Sequence, residues 1–478
     1  MKRLTKLTIL KNTFWLGLAE VFSRFLRFFL VISAARILGA TNYGKFSFAT
    51  QILFISAILT DLGISPITTR ELAKNQAAGK KEISSILSLK TILTLVIWGI
   101  VILSSFIFID DPVVRMILAV LVLDTVFGSF IKFINALFEA HQKMKYEAIG
   151  GITRSIIIVS LGLFLLFYYP SLFQYPPVVN LSWVYAIGSI LVAFILAIVY
   201  QRKIKEKLFL LINPIIWRKI LSLSWPVALT VVFASIYHSM DSIMLGFWGM
   251  MTENGWYAAA YKIMDVALTP IVWVSASFFP VLSQKFKDVQ GKEQQKIFLS
   301  HLSVLTILGF PIAIGGIILA PQIIYFVYGA SYQPTTLSFQ ILMGALLFIY
   351  LGNTFGQTLL AANYQKYSFW VTAAGAVLNV ILNLVLIPIY SFYGAAAATL
   401  LTYFFDFCLI VYLTKKLVGL SFWQKDYLIV LVKTILSTAI MGWFIWQLLA
   451  VHLNIALIIL GGAFSYGVLT ILFNYYFL

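Results

Sequence analysis

Fourteen apolar runs, each about twenty residues long or longer and separated by short polar breaks, constrain this chain more than any motif in it. A hydrocarbon layer about 30 Å thick is crossed by about 20 apolar residues in helical form. Inside that layer each backbone N–H and C=O must be satisfied by the helix itself, which excludes open strands. The runs fall at 12–38, 43–62, 84–108, 112–136, 148–169, 180–200, 220–248, 255–281, 298–320, 336–360, 368–388, 393–414, 427–450 and 455–476. The predicted fold class is therefore an all-α polytopic membrane protein of about fourteen transmembrane helices. Composition agrees, since only 11% of the 478 residues are charged, against about 25% in soluble domains. Water-soluble enzymes and soluble binding modules are excluded.

The excess of 34 Lys and Arg over 17 Asp and Glu gives a net charge of +17, which in a soluble protein would point to nucleic acid. Position reads otherwise. If the basic N-terminus is cytoplasmic, 24 of the 34 cations fall in inside segments and none in outside loops. The charge is thus an orientation signal, no nucleic-acid partner is expected, and both termini are placed in the cytoplasm. The first run carries Glu20, Arg24 and Arg27 and shows no small-residue cleavage site, so it reads as a retained span. The single cysteine, Cys408, allows no intrachain disulfide.

Two short stretches repeat in the same order. Gly44-Lys45-Phe46-Ser47-Phe48-Ala49 resembles Gly255-Trp256-Tyr257-Ala258-Ala259-Ala260, each following a Leu-Gly (Leu38-Gly39, Leu245-Gly246). Ala140 to Lys145-Tyr146 matches Ala361 to Lys366-Tyr367. Spans one to six then pair with seven to twelve in a parallel pseudo-repeat. The expected organisation is a six-helix lobe at 1–210, a second at 211–418 and a two-helix appendage at 419–478.

The stretch Arg36-Ile37-Leu38-Gly39-Ala40-Thr41-Asn42-Tyr43-Gly44-Lys45-Phe46, the Asp61-Leu62-Gly63 and Arg70-Glu71 beyond it, and Leu386-Ile387-Pro388-Ile389-Tyr390-Ser391-Phe392-Tyr393-Gly394-Ala395 resemble polysaccharide-transport flippases of the Wzx type. These belong to the multidrug/oligosaccharidyl-lipid/polysaccharide (MOP) exporter superfamily. The resemblance implies a flippase in the inner membrane that moves undecaprenyl-pyrophosphate-linked oligosaccharide repeat units to the outer leaflet for O-antigen, capsule or exopolysaccharide assembly. It implies alternating access between two lobes around a central cavity. The implied partners are the lipid-linked oligosaccharide, membrane lipids and polysaccharide polymerase or assembly proteins. No cofactor is expected beyond a coupling ion, H⁺ or Na⁺.

Ten Lys and Arg remain within spans. A charge at mid-membrane costs at least about 2.5 kcal/mol and marks a wet cavity or a partner. Arg36, Lys45, Arg115, Lys90, Lys132 and Lys433 lie near span ends and are expected to snorkel to the headgroups. Arg24, Arg27, Arg154 and Lys262 lie deeper. Glu20, Arg24 and Arg27 share one helical stripe. A guanidinium fork suits a pyrophosphate because it donates two parallel hydrogen bonds and stays charged at any cellular pH; an internal Glu20–Arg24 ion pair is the alternative reading of the same stripe. Candidate substrate residues are Arg24, Arg27, Arg154, Lys262, Asn379 and Asn383. Interhelical hydrogen bonding is the alternative for the two asparagines.

Asp124, Asp241, Asp265 and Asp406 with Glu20 give five deep acids against four deep bases, so a purely cationic cavity does not follow. Lys262 with Asp265, and His238 with Asp241, stand at i, i+3 and suit either an ion site or a structural pair. Candidate ion-coupling or ion-pair residues are thus Glu20, Asp124, Asp241, Asp265 and His238. Catalytic and metal-ligating residues are not expected. A membrane glycosyltransferase or polymerase would need acids, bases or a metal on sizeable loops, whereas the longest outer loop, Pro321–Thr335, carries no charge. A cation-coupled drug antiporter of the MATE type is the alternative among transporters.

Overall fold

The structure, a computed structural model, describes residues 2–74, 80–168, 175–204, 209–288, 291–451 and 453–473; side chains are described from Trp15 onward within these ranges, except at positions 74, 80, 226, 227, 230, 234, 285, 287 and 288. Every regular element among them is helical. Helix α1 (Lys2–Asp61) holds the first two predicted spans, divided by a kink at Gly39 with φ 74° and ψ 168°. No atom lies near a Cβ built on Gly39, so glycine is required there by the backbone and not by crowding. Then come a short α2 (Ile64–Lys74) and the single spans α3 (Lys80–Phe108), α4 (Pro112–Ala140), α5 (Met144–Tyr168), α6 (Pro177–Ile204) and α7 (Pro214–Phe247). The eighth span is broken into α8 (Met251–Ala267) and α9 (Thr269–Asp288), where Pro270 lacks the amide hydrogen that would continue the helix.

Helix α10 (Lys292–Ile318), the short α11 (Ala320–Tyr328) and α12 (Thr335–Ala361) follow, then α13 (Gln365–Val418), α14 (Lys425–Ala450) and α15 (Ile455–Leu472). The 54-residue α13 contains two spans across a kink at Ser391, φ 55° and ψ −140°. With two spans each in α1 and α13, the helices supply the fourteen spans expected. Hydropathy does not separate helices α2 and α11 from the neighbouring segments. Both are short and amphipathic, and both sit where the sequence reads as a loop; α11 buries Ile324 and Tyr328 and exposes Tyr325 and Phe326.

The chain packs as two compact units, Met1–Gly255 and Trp256–Leu478. In the first, Phe48, Trp98, Ile117, Leu118, Val178 and Val184 form one core. Phe133, Leu137, Phe138, Leu196 and Tyr200 form another. Exposure is inverted relative to a soluble protein: Leu103, Phe106 and Ile107 of α3 are each about two-thirds exposed or more. Such a patch is tolerable in lipid and a liability in water.

A close crossing of α1 with the α7–α8 corner is built from small residues. A Cβ on Gly44 would collide with the Met251 carbonyl oxygen, and one on Gly255 with that of Ala40. Around this contact Asn254 Nδ2 donates to the Gly44 carbonyl at 2.9 Å, Ser242 Oγ donates to Asn254 Oδ1 at 2.5 Å, and the Thr41 and Thr252 hydroxyls lie 2.7 Å apart. The repeat read between Gly44 and Gly255 is thus a packing device. Its turning glycine is Gly249, φ 74°, while Gly246 seats the Phe48 ring.

In the second unit, Phe298, Leu302, Phe355 and Tyr427 pack as one cluster, and Leu319, Met441, Ile445 and Ile458 as another that ties α14 and α15 to α10.

Candidate functional site

Five of the charged residues singled out in the sequence converge in the first unit, on α1, α4 and α5. Helix α5 crosses α1 so closely that a Cβ on Gly162 would press on Leu30, and this crossing sets Arg154 beside the polar stripe of α1. The Arg154 guanidinium donates from Nη2 to Asp124 Oδ1 at 2.7 Å and from Nε to Ser189 Oγ at 2.8 Å. Ser189 in turn donates to the same Asp124 oxygen at 2.5 Å. The serine on α6 thus completes a closed triangle with the acid on α4 and the base on α5. Arg154 is 29% and Asp124 16% exposed, so the pair is largely withdrawn from solvent.

On α1, Glu20 and Arg24 form an i, i+4 ion pair at 2.5 Å, both more than half exposed. Arg27 differs from both other arginines. Its one hydrogen bond among the described residues runs from Nε to the Ser23 carbonyl at 3.2 Å, which leaves its two Nη groups without a protein partner. It lies within electrostatic reach of Glu20, Arg154, Tyr185 and Arg24. Three cations face two anions here, so the cluster carries one net positive charge. Opposing acids hold Arg24 and Arg154, whereas no acid among the described residues pairs directly with Arg27. Ser189 and Tyr185 were missed in the sequence; they stand at i, i+4 on α6 and so share the face turned to the arginines.

The remaining sequence candidates lie elsewhere. Lys262 Nζ and Asp265 Oδ2 pair at 3.7 Å on α8 in the second unit. Asn383 Nδ2 donates to Asn379 Oδ1 at 3.0 Å, with both residues buried on α13. Asp241 is 2% exposed on α7, and His238 is exposed with its ring 6.1 Å from that of Phe54. Among the described residues no group of three or more His, Cys, Asp or Glu could hold a metal ion.

The cations near span ends do more than snorkel. Lys90 is fully buried and bonds Asp61 and Ser65, so its expected reach to the headgroups is corrected: its counter-charge lies between the packed helices. Lys132 Nζ reaches the other Asp61 oxygen at 2.8 Å. Lys45 pairs with Asp111 at 2.6 Å, Arg115 donates to the Asp110 carbonyl, and Lys433 to that of Phe473. Apart from these charges, a cavity of about 180 Å³ opens among α1, α5 and α6, lined by Ile37, Leu38, Asn42, Leu165, Pro177 and Asn180.

The family model described as "Polysaccharide biosynthesis protein" matches residues 9–286. The probable low-salt glycan biosynthesis flippase Agl15 of Haloferax volcanii is 23% identical over 418 residues, covering 86% of this chain and 84% of the relative. Among solved structures, the lipid II flippase MurJ in an inward closed conformation superposes with a TM-score of 0.75 at 18% identity, covering 96% of this chain and 98% of that one. An inward-facing multidrug resistance MATE family transporter of the MOP superfamily superposes with a TM-score of 0.68 at 13% identity, covering 83% and 94%. At these identities the two solved structures speak to the fold alone.

Proposed function

The chain belongs to the polysaccharide biosynthesis protein family, and from that premise we propose that this multi-pass membrane protein is a flippase for undecaprenyl-pyrophosphate-linked oligosaccharide repeat units. The observation that carries the reading is Arg27, a guanidinium within a membrane span whose Nη groups have no partner among the described residues and whose neighbours Arg24 and Arg154 are already balanced by acids. Two parallel N–H donors match two oxygens of a pyrophosphate, and a partly dry site strengthens that contact. The relative named as a probable glycan biosynthesis flippase supports the coarser part of this reading, a flippase acting in glycan biosynthesis.

In this reading Arg27 binds the pyrophosphate, while Asp124 and Ser189 hold Arg154 beside it to add positive field without being consumed in binding. No bond is made or broken, so the task is binding and conformational change, not catalysis. The two six-helix lobes at 1–210 and 211–418 alternate access to the two leaflets, with the 419–478 pair as an appendage. Both termini face the cytoplasm, in keeping with the basic inside segments. Asn379 and Asn383 are secondary sugar contacts. His238 with Asp241, and Lys262 with Asp265, are the pairs through which an H⁺ or Na⁺ gradient could drive the cycle.

Flipping of a fluorescent lipid-pyrophosphate oligosaccharide in proteoliposomes tests the reading, with Arg27→Ala expected to abolish transport at unchanged folded yield. A MATE-like cation antiporter is the second reading, favoured by the burial of Asp241 at 2% exposure. Efflux of organic cations without movement of any lipid-linked sugar would select it.

A further inference from the structure

Asp406 stands apart from the paired acids of the spans. Asp124 has Arg154 and Ser189, Asp265 has Lys262, Asp61 has Lys90 and Lys132, and Glu20 has Arg24. The residue as a whole is half-buried, but its Oδ1 atom is buried and accepts no hydrogen bond among the described residues, and no described cation pairs with the carboxyl. The group is seated on a glycine: a Cβ on Gly375, in the first arm of α13, would overlap both carboxyl oxygens of Asp406 in the second arm.

The surroundings supply no compensation. Helix α12, packed against α13, carries no charged residue, and its one titratable side chain, Tyr350, donates to the Ala267 carbonyl. Phe348 of α12 packs on Phe404 and Phe407, and Phe355 packs on Phe407, residues two before and one after the acid in the chain. On α13 itself the nearest titratable residues are Tyr403, Cys408 and Tyr412. Its cations are Lys366 at one end and Lys415 and Lys416 at the other; Lys415 stands about 13 Å along the helix at 1.5 Å per residue. An ionised carboxylate without a counter-charge or donor in such a place is expensive, whereas the neutral acid is far less so.

We infer that Asp406 is a proton-binding site of the second unit, occupied while its carboxyl is seated on Gly375 and emptied when α13 rearranges to admit water. The step is uptake of one proton by the carboxylate to give the neutral acid, with no change in electrons. The charged form is favoured when the acid leaves Gly375 for water, which ties proton release to movement of α13 against α12. The inference deepens the transport reading by naming the proton as coupling ion, and it rests on that reading for its role in flipping.

Infrared spectroscopy of the full chain in lipid tests the protonation itself. At neutral pH a carbonyl band of a protonated carboxylic acid is expected in the wild type and is expected to be lost in Asp406→Asn. In proteoliposomes, Asp406→Asn is expected to lose flipping driven by an imposed pH gradient while keeping flipping down the substrate's own gradient. Absence of any acid band assignable to Asp406, or gradient-driven flipping that survives the substitution or follows Na⁺ instead of pH, overturns the inference. A wild type that moves no lipid-linked sugar would sink the flippase reading and leave the infrared result standing, so the two failures are distinguishable.

Discussion

Arg154 Nη2 lies 2.7 Å from Asp124 Oδ1, and the Ser189 hydroxyl accepts from Arg154 Nε while donating to that same Asp124 oxygen. Three helices, α4, α5 and α6, are thereby tied at one point inside the first unit. Removing one member of a largely buried pair strands the other, which costs about 3–5 kcal/mol when burial is complete and correspondingly less at 29% and 16% exposure. Arg154→Ala is therefore expected to lower stability by about 2 kcal/mol, and Arg154→Met with Asp124→Leu to recover most of it. Thermal unfolding in detergent reads both. Equal stability of Arg154→Ala and wild type would mean the triangle holds nothing.

Asp61 serves two lysines of very different exposure. Lys90 is 0% and Lys132 59% exposed. Asp61→Asn leaves a fully buried ammonium without its counter-charge, and a loss of about 3–5 kcal/mol is expected. Lys132→Ala is expected to cost about 1 kcal/mol or less, as exposed pairs do. Folded yield by size exclusion should separate the two variants clearly.

Glycine 44 and glycine 255 are expected to refuse any side chain, because the atoms a Cβ would meet are backbone carbonyl oxygens that cannot turn aside. Gly44→Ala should cost about 1–3 kcal/mol or more through forced separation of the helices. Gly99→Ala on α3, where nothing lies near the added carbon, is the matched control and should be neutral or slightly stabilising. Similar melting of the two variants would contradict the close crossing.

Asp111 caps α4 through Val113 and Val114 and pairs with Lys45. Burial alone would raise its pKa, but the Lys45 ammonium and the two backbone N–H donors outweigh it and hold the group below the ordinary 3.8. A lowered folded value means the stabilisation is present above the ordinary carboxylate range and is lost as pH falls through the folded value. Asp111→Asn keeps the cap and removes the charge. It should melt lower than wild type at pH 7, by about 1 kcal/mol or less for a partly exposed pair. The difference should close on acidification below 3.8. A gap that persists in acid would assign the effect to packing.

Hydropathy alone reveals the fourteen spans because each crossing of the bilayer needs about twenty mostly apolar residues in helical form. It does not reveal α2 and α11, whose short amphipathic turns have no such length to announce them. The polar stripe of Glu20, Arg24 and Arg27 is legible because it lies on one helix. The partners of Arg154 are not, since Asp124 and Ser189 are 30 and 35 residues away in the chain. Lys90 illustrates the same limit: nearness to a span end suggests snorkelling, but Asp61, 29 residues earlier, captures the ammonium between the helices. Periodicity sees neighbours on a helix, and it is blind to the charge on the next one.

The most direct measurement is flipping of a fluorescent undecaprenyl-pyrophosphate oligosaccharide in proteoliposomes by wild type, Arg27→Ala and Arg27→Lys. Transport by wild type, near-complete loss in Arg27→Ala and partial rescue in Arg27→Lys are expected, because lysine keeps the charge but loses the fork. Full transport by Arg27→Ala at equal folded yield would contradict the placement of the pyrophosphate at this guanidinium.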